Sequence, residues 1–171
     1  WREDNMKIES MLVLTALLLF TSAVQLHAQP IPDVKVENMK GVKVSAKRIC
    51  LAGKPTVVSL WATWCKPCIQ ELDAVSEVLE DWREEVDFRY AAVSIDDARA
   101  ISKARTYASA RGWDGIDFFF DSNAELRRKL NVSSIPYVLI YDASGKLVYS
   151  HVGYLPGGEE EIFSELKKIA R

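Results

Sequence analysis

Two cysteines separated by two residues, at the point where an apolar strand gives way to a helix, are the residues of this chain best suited to do chemistry. The segment reads Trp61-Ala62-Thr63-Trp64-Cys65-Lys66-Pro67-Cys68; it follows the run Thr56-Val57-Val58-Ser59-Leu60 and precedes a long amphipathic stretch. The first backbone N–H groups of a helix have no intrahelical partner and carry the positive end of its dipole, so a sulfur placed there is favoured as thiolate. Cys65 occupies that place. A free thiol titrates near about 8.5, whereas motifs of this kind reach roughly 3.5 to 7.5, which turns a sluggish group into a nucleophile. The spacing lets Cys68 meet Cys65 within the first turn, so a disulfide can open and close with little backbone movement. Pro67 is tolerated in a first turn, where its missing N–H costs nothing, and Lys66 adds a weakly acting positive charge. Half of a zinc site is the competing reading. It needs two more ligands, and Cys50, His27 and His151 offer no pair at ligand spacing. A haem attachment needs a histidine where Ile69 stands. No metal and no cofactor is expected.

The elements that must hold this pair alternate along the chain. Ile69, Leu72, Val75, Leu79 and Trp82 recur at helical spacing and predict a helix from Pro67 to about Trp82 with one face packed on a sheet. Glu71, three residues beyond Cys68, shares that side of the helix; its carboxylate either relays protons for the cysteines or is an ordinary solvated group. Upstream, Val34-Lys35-Val36 and Val42-Lys43-Val44 flank a turn and read as a hairpin, and Leu51 to Pro55 leads into the core strand. Downstream come a strand over Phe88 to Ile95, a helix from near Ala98 that Asp96 or Asp97 can cap, and Gly112 to end it. Phe118-Phe119-Phe120 is a short strand, and Ser122-Asn123-Ala124-Glu125 matches a capping box. Pro136 opens the strand Tyr137 to Tyr141, a position that tolerates proline. A turn over Asp142 to Gly145 returns the chain through Lys146 to Val152, and a last helix runs from Gly158 to Ala170. Alternation followed by a hairpin predicts an α/β fold, a central mixed sheet flanked by helices, with an N-terminal β-hairpin extension.

With 171 residues, 49% of them hydrophobic, the chain has room for one well-cored domain, and a net charge of −2 gives no footprint for a nucleic acid. Residues 1–28 read as a secretory signal: Lys7 leads an apolar block from Met11 to Phe20, and Ala23 and Ala28 are competing cleavage positions. Residues 1–5 precede the first methionine and are taken as lying outside the natural reading frame. An uncleaved membrane anchor is the alternative, weakened by Gln25 and His27. The folded domain is then residues 29–171. Export implies an oxidising compartment in which cysteines pair. Of three cysteines, Cys50 is left over, either as a small buried hydrophobe or as a partner-forming thiol.

These parts, in this order, resemble the thioredoxin-fold family, and within it the exported thiol-disulfide oxidoreductases of the TlpA/ResA type. The resemblance covers about residues 31–171 and rests on Gly53-Lys54-Pro55, the segment from Trp61 to Cys68, Glu71, Ile135-Pro136 and Gly153. It implies that Cys65 is the attacking thiolate, Cys68 the resolving thiol and Glu71 the acidic residue of the site. It implies further that Pro136 is a cis proline facing the cysteines, that the backbone of Ile135 pairs with an extended substrate segment, and that Trp64 offers an apolar contact surface. Thioredoxin itself carries a buried aspartate in the core strand where this chain has Ser59, which closes that proton route and leaves more to Glu71 or water. Protein disulfides are the implied substrates, apocytochrome cysteines of cytochrome c maturation among them. A membrane protein is the implied electron donor, and a periplasmic monomer the implied form. An oxidase of the DsbA type carries a helical insertion for which the loops here leave no room.

Two other functions fit parts of the sequence. Copper-handling relatives of the fold use two cysteines and a distal histidine, but with wider cysteine spacing, and His151 lies away from the proline loop. A peroxiredoxin-like peroxidase needs a threonine or serine three residues before its cysteine, whereas Thr63 is two before Cys65 and a second motif cysteine would be out of place.

Overall fold

The computed structural model describes residues 29–170; the leader assigned to residues 1–28 lies outside them. The elements run β1 (Lys35–Asn38), β2 (Lys43–Ser45), a single 3-10 turn (Ala46–Arg48), β3 (Thr56–Trp61), α1 (Lys66–Glu85), β4 (Arg89–Ser94), α2 (Ile101–Ala110), β5 (Asp117–Phe120), α3 (Glu125–Lys129), β6 (Tyr137–Tyr141), β7 (Leu147–Val152) and α4 (Glu159–Ile169). The strands form one sheet in the order β2-β1-β5-β4-β3-β6-β7. β3 is parallel to β4, and β4 to β5, while the remaining pairs are antiparallel, so the sheet is mixed. The N-terminal hairpin extends this sheet, β1 pairing with β5 through Glu37 opposite Phe120.

Every residue of β3 is buried. A strand covered on both faces needs no polar alternation, which is why Thr56 to Trp61 reads as a continuous run. β7, at the sheet edge, alternates half-buried and exposed residues, as one covered face requires. α1 turns Cys68, Glu71, Leu72, Val75, Leu79 and Trp82 inward. Burying each of those leucines and valines contributes about 1.5–3 kcal/mol, whereas the exposed Glu80–Arg83 pair on its outer face adds roughly 0.5 kcal/mol or less. Docking on the sheet therefore holds this helix. Trp82 stacks on Phe163 at 4.8 Å between ring centroids, fixing α4 beside α1. Trp61 ends β3 inside an aromatic cluster, 5.4 Å from Trp113 and 6.0 Å from Phe118, so the cysteine loop departs from an anchored residue.

Two helix starts differ from expectation. The helix placed near Ala98 begins only at Ile101, and its N-cap Ala100 makes no side-chain cap bond. Asp97 caps the preceding turn, accepting from the backbone N–H of Arg99 and Ala100, while Asp96 points inward. The Ser122–Glu125 capping box is not formed. Asp121 accepts from the N–H groups of Glu125, Leu126 and Arg127 at 2.9, 3.1 and 2.8 Å, and Ser122 donates to Glu37 instead. A carboxylate, with two oxygens and about four acceptor sites, can satisfy three orphan donors, more than the two acceptor sites of a hydroxyl allow.

Candidate active site

Cys65 is the N-cap of α1. Its backbone is extended, at φ −93° and ψ 94°, and its Sγ accepts the Cys68 N–H at 3.3 Å. Pro67 lies in the first turn, as expected. Cys65 and Cys68 form a disulfide with 5.3 Å between their Cα atoms. Cys65 is 5% exposed and Cys68 fully buried, so an incoming sulfur can approach only the first. Beside them Trp64 is 68% exposed, an indole that the core does not need.

The cysteine loop leaves the end of β3, and β6 begins next to it, Leu60 lying opposite Tyr137. That register brings Pro136 to the same end of the sheet, and the Ile135–Pro136 peptide bond is cis. The loop after β7 closes on it: the Gly153 N–H donates to the Pro136 carbonyl at 2.8 Å, with Gly153 at φ +88°, a conformation that costs glycine nothing. On the other side, Arg127 donates to the carbonyls of Val132 and Ser133, tying α3 to the segment that leads into half-buried Ile135.

Glu71 is not a solvated group. It is 1% exposed and accepts a 2.5 Å hydrogen bond from Ser59 Oγ. Burial pushes its carboxyl up to about 7, the Ser59 bond opposes this, and the charge of Glu159 adds to it. Ser59, on β3, is therefore tied to the helix carboxylate of α1 and holds it. Tyr90 is buried beside this pair without completing a hydrogen bond, and burial together with the charge of Glu71 pushes its hydroxyl up. Asp96, 1% exposed, accepts from the backbone and hydroxyl of Thr63 within the cysteine loop. The sequence reading gave Asp96 only a capping role; an aspartate directly after a core strand that runs parallel to the cysteine strand was the available signal.

Cys50 carries no disulfide and is half-buried, and burial pushes its thiol up to about 12. His151 sits on β7, half-buried, with its ring stacked on Tyr149 at 6.5 Å. Among the described residues no three His, Cys, Asp or Glu side chains converge as a metal site, and no helix is long and apolar enough to cross a membrane.

Comparison with known proteins agrees with this geometry. A thioredoxin-like protein of Porphyromonas gingivalis is 41% identical, and its solution structure superposes with a TM-score of 0.73 over 82% of this chain and 91% of that one. The thioredoxin-like protein YneN of Bacillus subtilis is 29% identical over 79% of this chain and 76% of its own length. The thiol:disulfide interchange protein DsbE of Vibrio cholerae is 25% identical over 88% of this chain and 71% of its own. The AhpC/TSA family model matches residues 27–150; the chain belongs to that family, and within it is a thioredoxin-like thiol-disulfide oxidoreductase.

Proposed function

We propose that this protein is exported and reduces protein disulfides, with Cys65, Cys68 and Glu71 as its reacting groups and Trp64, Ile135 and Pro136 as its substrate contacts. The observation that carries this reading is the unequal burial of the two sulfurs: Cys65 at the surface edge of a helix start, Cys68 beneath it. In the reduced protein the Cys65 thiolate attacks one sulfur of a substrate disulfide. That bond breaks, the departing sulfur leaves as thiolate, and a Cys65–substrate bond forms. Cys68 then loses its proton and attacks Cys65 Sγ, expelling the second substrate thiolate. The substrate has gained two electrons and the protein ends as the Cys65–Cys68 disulfide.

Glu71 is suited to take the Cys68 proton. It lies one helical turn further along the buried face of α1, and a carboxyl near 7 is present in both forms at neutral pH. Trp64, the cis bond at Pro136 and the backbone of Ile135 form the surface on which an extended, partly apolar segment is held. Residues 1–28 serve as the leader, residues 29–171 work in the periplasm as a monomer, and a membrane protein returns electrons to the dithiol. Apocytochrome cysteines are one substrate class for this chemistry.

Equilibration with glutathione tests the direction. A reductant is expected near thioredoxin, at about −270 mV, and a potential near DsbA, at about −120 mV, would overturn it. In the same preparation, Cys68→Ala is expected to accumulate mixed disulfides through Cys65, which identifies the substrate.

A further inference from the structure

Asp96 lies outside the cysteine motif, yet two of the three hydrogen bonds its carboxylate accepts come from the loop that carries the nucleophile. It is 1% exposed. Oδ2 accepts from the Thr63 N–H at 2.9 Å and from Ser94 Oγ at 2.8 Å, and Oδ1 accepts from Thr63 Oγ1 at 2.8 Å. The Asp96 N–H in turn meets Ser94 Oγ at 3.1 Å, and the Ile95 N–H donates to the Trp61 carbonyl at 2.8 Å. Among the described residues no lysine, arginine or histidine forms an ion pair with Asp96. A carboxylate buried without a cation is costly unless hydrogen bonds compensate it, and here two of its three donors belong to one residue, Thr63.

Thr63 is the middle of a turn. The Cys65 N–H donates to the Ala62 carbonyl at 3.0 Å across it, and Cys65 then caps α1. Gripping Thr63 at both its backbone and its hydroxyl leaves that turn no freedom to rotate. Thiol–disulfide exchange needs the attacking sulfur roughly in line with the bond it breaks, and loss of such alignment lowers the rate without weakening binding.

We propose that Asp96 is a positioning residue for the exchange reaction, fixing through Thr63 the direction in which Cys65 Sγ meets an incoming disulfide. This rests on the reading that Cys65 is the attacking sulfur. The amide of Asp96→Asn can reproduce all three contacts: its oxygen accepts from the Thr63 N–H and the Ser94 hydroxyl, and its NH2 donates to Thr63 Oγ1. Asp96→Ala reproduces none, and Thr63→Val removes only the hydroxyl contact while keeping the branched shape.

The test measures insulin disulfide reduction and the pH dependence of Cys65 alkylation in the reduced protein. Asp96→Ala is expected to lower kcat by roughly tenfold to a hundredfold with little change in KM. The midpoint of Cys65 alkylation is expected to rise, because the loosened turn no longer holds Sγ on the Cys68 N–H. Thr63→Val is expected to move both readouts in the same direction by less, and Asp96→Asn to restore them. If Asp96→Ala does not fold, Thr63→Val decides. Folded Asp96→Ala or Thr63→Val with wild-type kcat and midpoint would overturn the proposal, as would Asp96→Asn as impaired as Asp96→Ala, which would assign the effect to charge. A wild-type protein that reduces no disulfide would sink the functional reading instead, so the two failures are distinct.

Discussion

Replacing Glu71 by glutamine is expected to change how the stability of this protein depends on pH. Burial raises the Glu71 carboxyl from its ordinary 4.5 to about 7 in the folded chain. Below about pH 4.5 the group is protonated whether the chain is folded or not, and it adds no pH dependence. Between there and about 7, the folded chain keeps a proton that the unfolded chain has released, so stability falls as pH rises. Above about 7 both states are ionised and the full cost of holding a charge in the core is present. At about 1.4 kcal/mol per pH unit, that cost is about 3 kcal/mol. Glutamine carries no charge at any pH and its amide oxygen can still accept from Ser59. Urea unfolding of the oxidised proteins, followed by tryptophan fluorescence, should therefore give wild type and Glu71→Gln similar stabilities near pH 5. Near pH 8, Glu71→Gln should be the more stable by about 3 kcal/mol. Ser59→Ala, which removes the bond favouring the ionised form, should carry the wild-type decline to higher pH. A difference between wild type and Glu71→Gln that stays constant from pH 5 to pH 8 would refute the reasoning, because it would mean the carboxyl titrates alike in folded and unfolded chains.

Trp64→Ala should leave stability nearly unchanged, since the indole is 68% exposed, but raise KM for a protein disulfide more than for a small one; equal effects on the two would deny it a contact role. Asp121→Ala leaves three N–H groups of α3 without a partner and should cost about 1–2 kcal/mol in denaturant unfolding. It should also loosen the Arg127 tether to Val132 and Ser133, seen as faster amide exchange in that loop.

The fold was legible because its strongest signals are long and periodic. β3 is a nearly continuous apolar run because both its faces are covered, and α1 shows its stripe from Cys68 to Trp82, about four turns, because one face docks on the sheet. The helix starts near Asp96 and Ser122 were misplaced for one reason: several polar residues capable of capping stand in a row, and spacing alone does not say which side chain turns inward. At the site, the pairing of Cys65 with Cys68 was readable because two intervening residues bring the sulfurs together within one helical turn, whereas the cis bond at Pro136 followed from the family resemblance, since the residues alone read as a proline opening a strand. The burial of Glu71 was not readable, since it depends on where β3 passes beneath α1 and on Ser59 standing at that crossing. Tyr90 escaped notice altogether, an ordinary strand aromatic until its hydroxyl is found beside a buried acid.

Glu71 and Asp96 are the two carboxylates buried against the cysteine segment, each 1% exposed, and the fold treats them differently. Asp96 receives three donors, two of them from the loop it grips. Glu71 receives one, from Ser59, and has the charge of Glu159 and the hydroxyl of Tyr90 for neighbours. Hydrogen bonds to the charged form are what make a buried carboxylate tolerable. A group supplied with one donor is left close to the balance between charged and neutral, which is what moving a proton requires. Asp96, with two of its three donors on Thr63, ties that residue at both backbone and side chain, which is what holding a loop requires. In the proposed mechanism, exchanging sulfur bonds demands both a proton that can leave Cys68 and a Cys65 that does not wander; the first task is assigned to Glu71 and the second to Asp96, in keeping with the number of donors each receives.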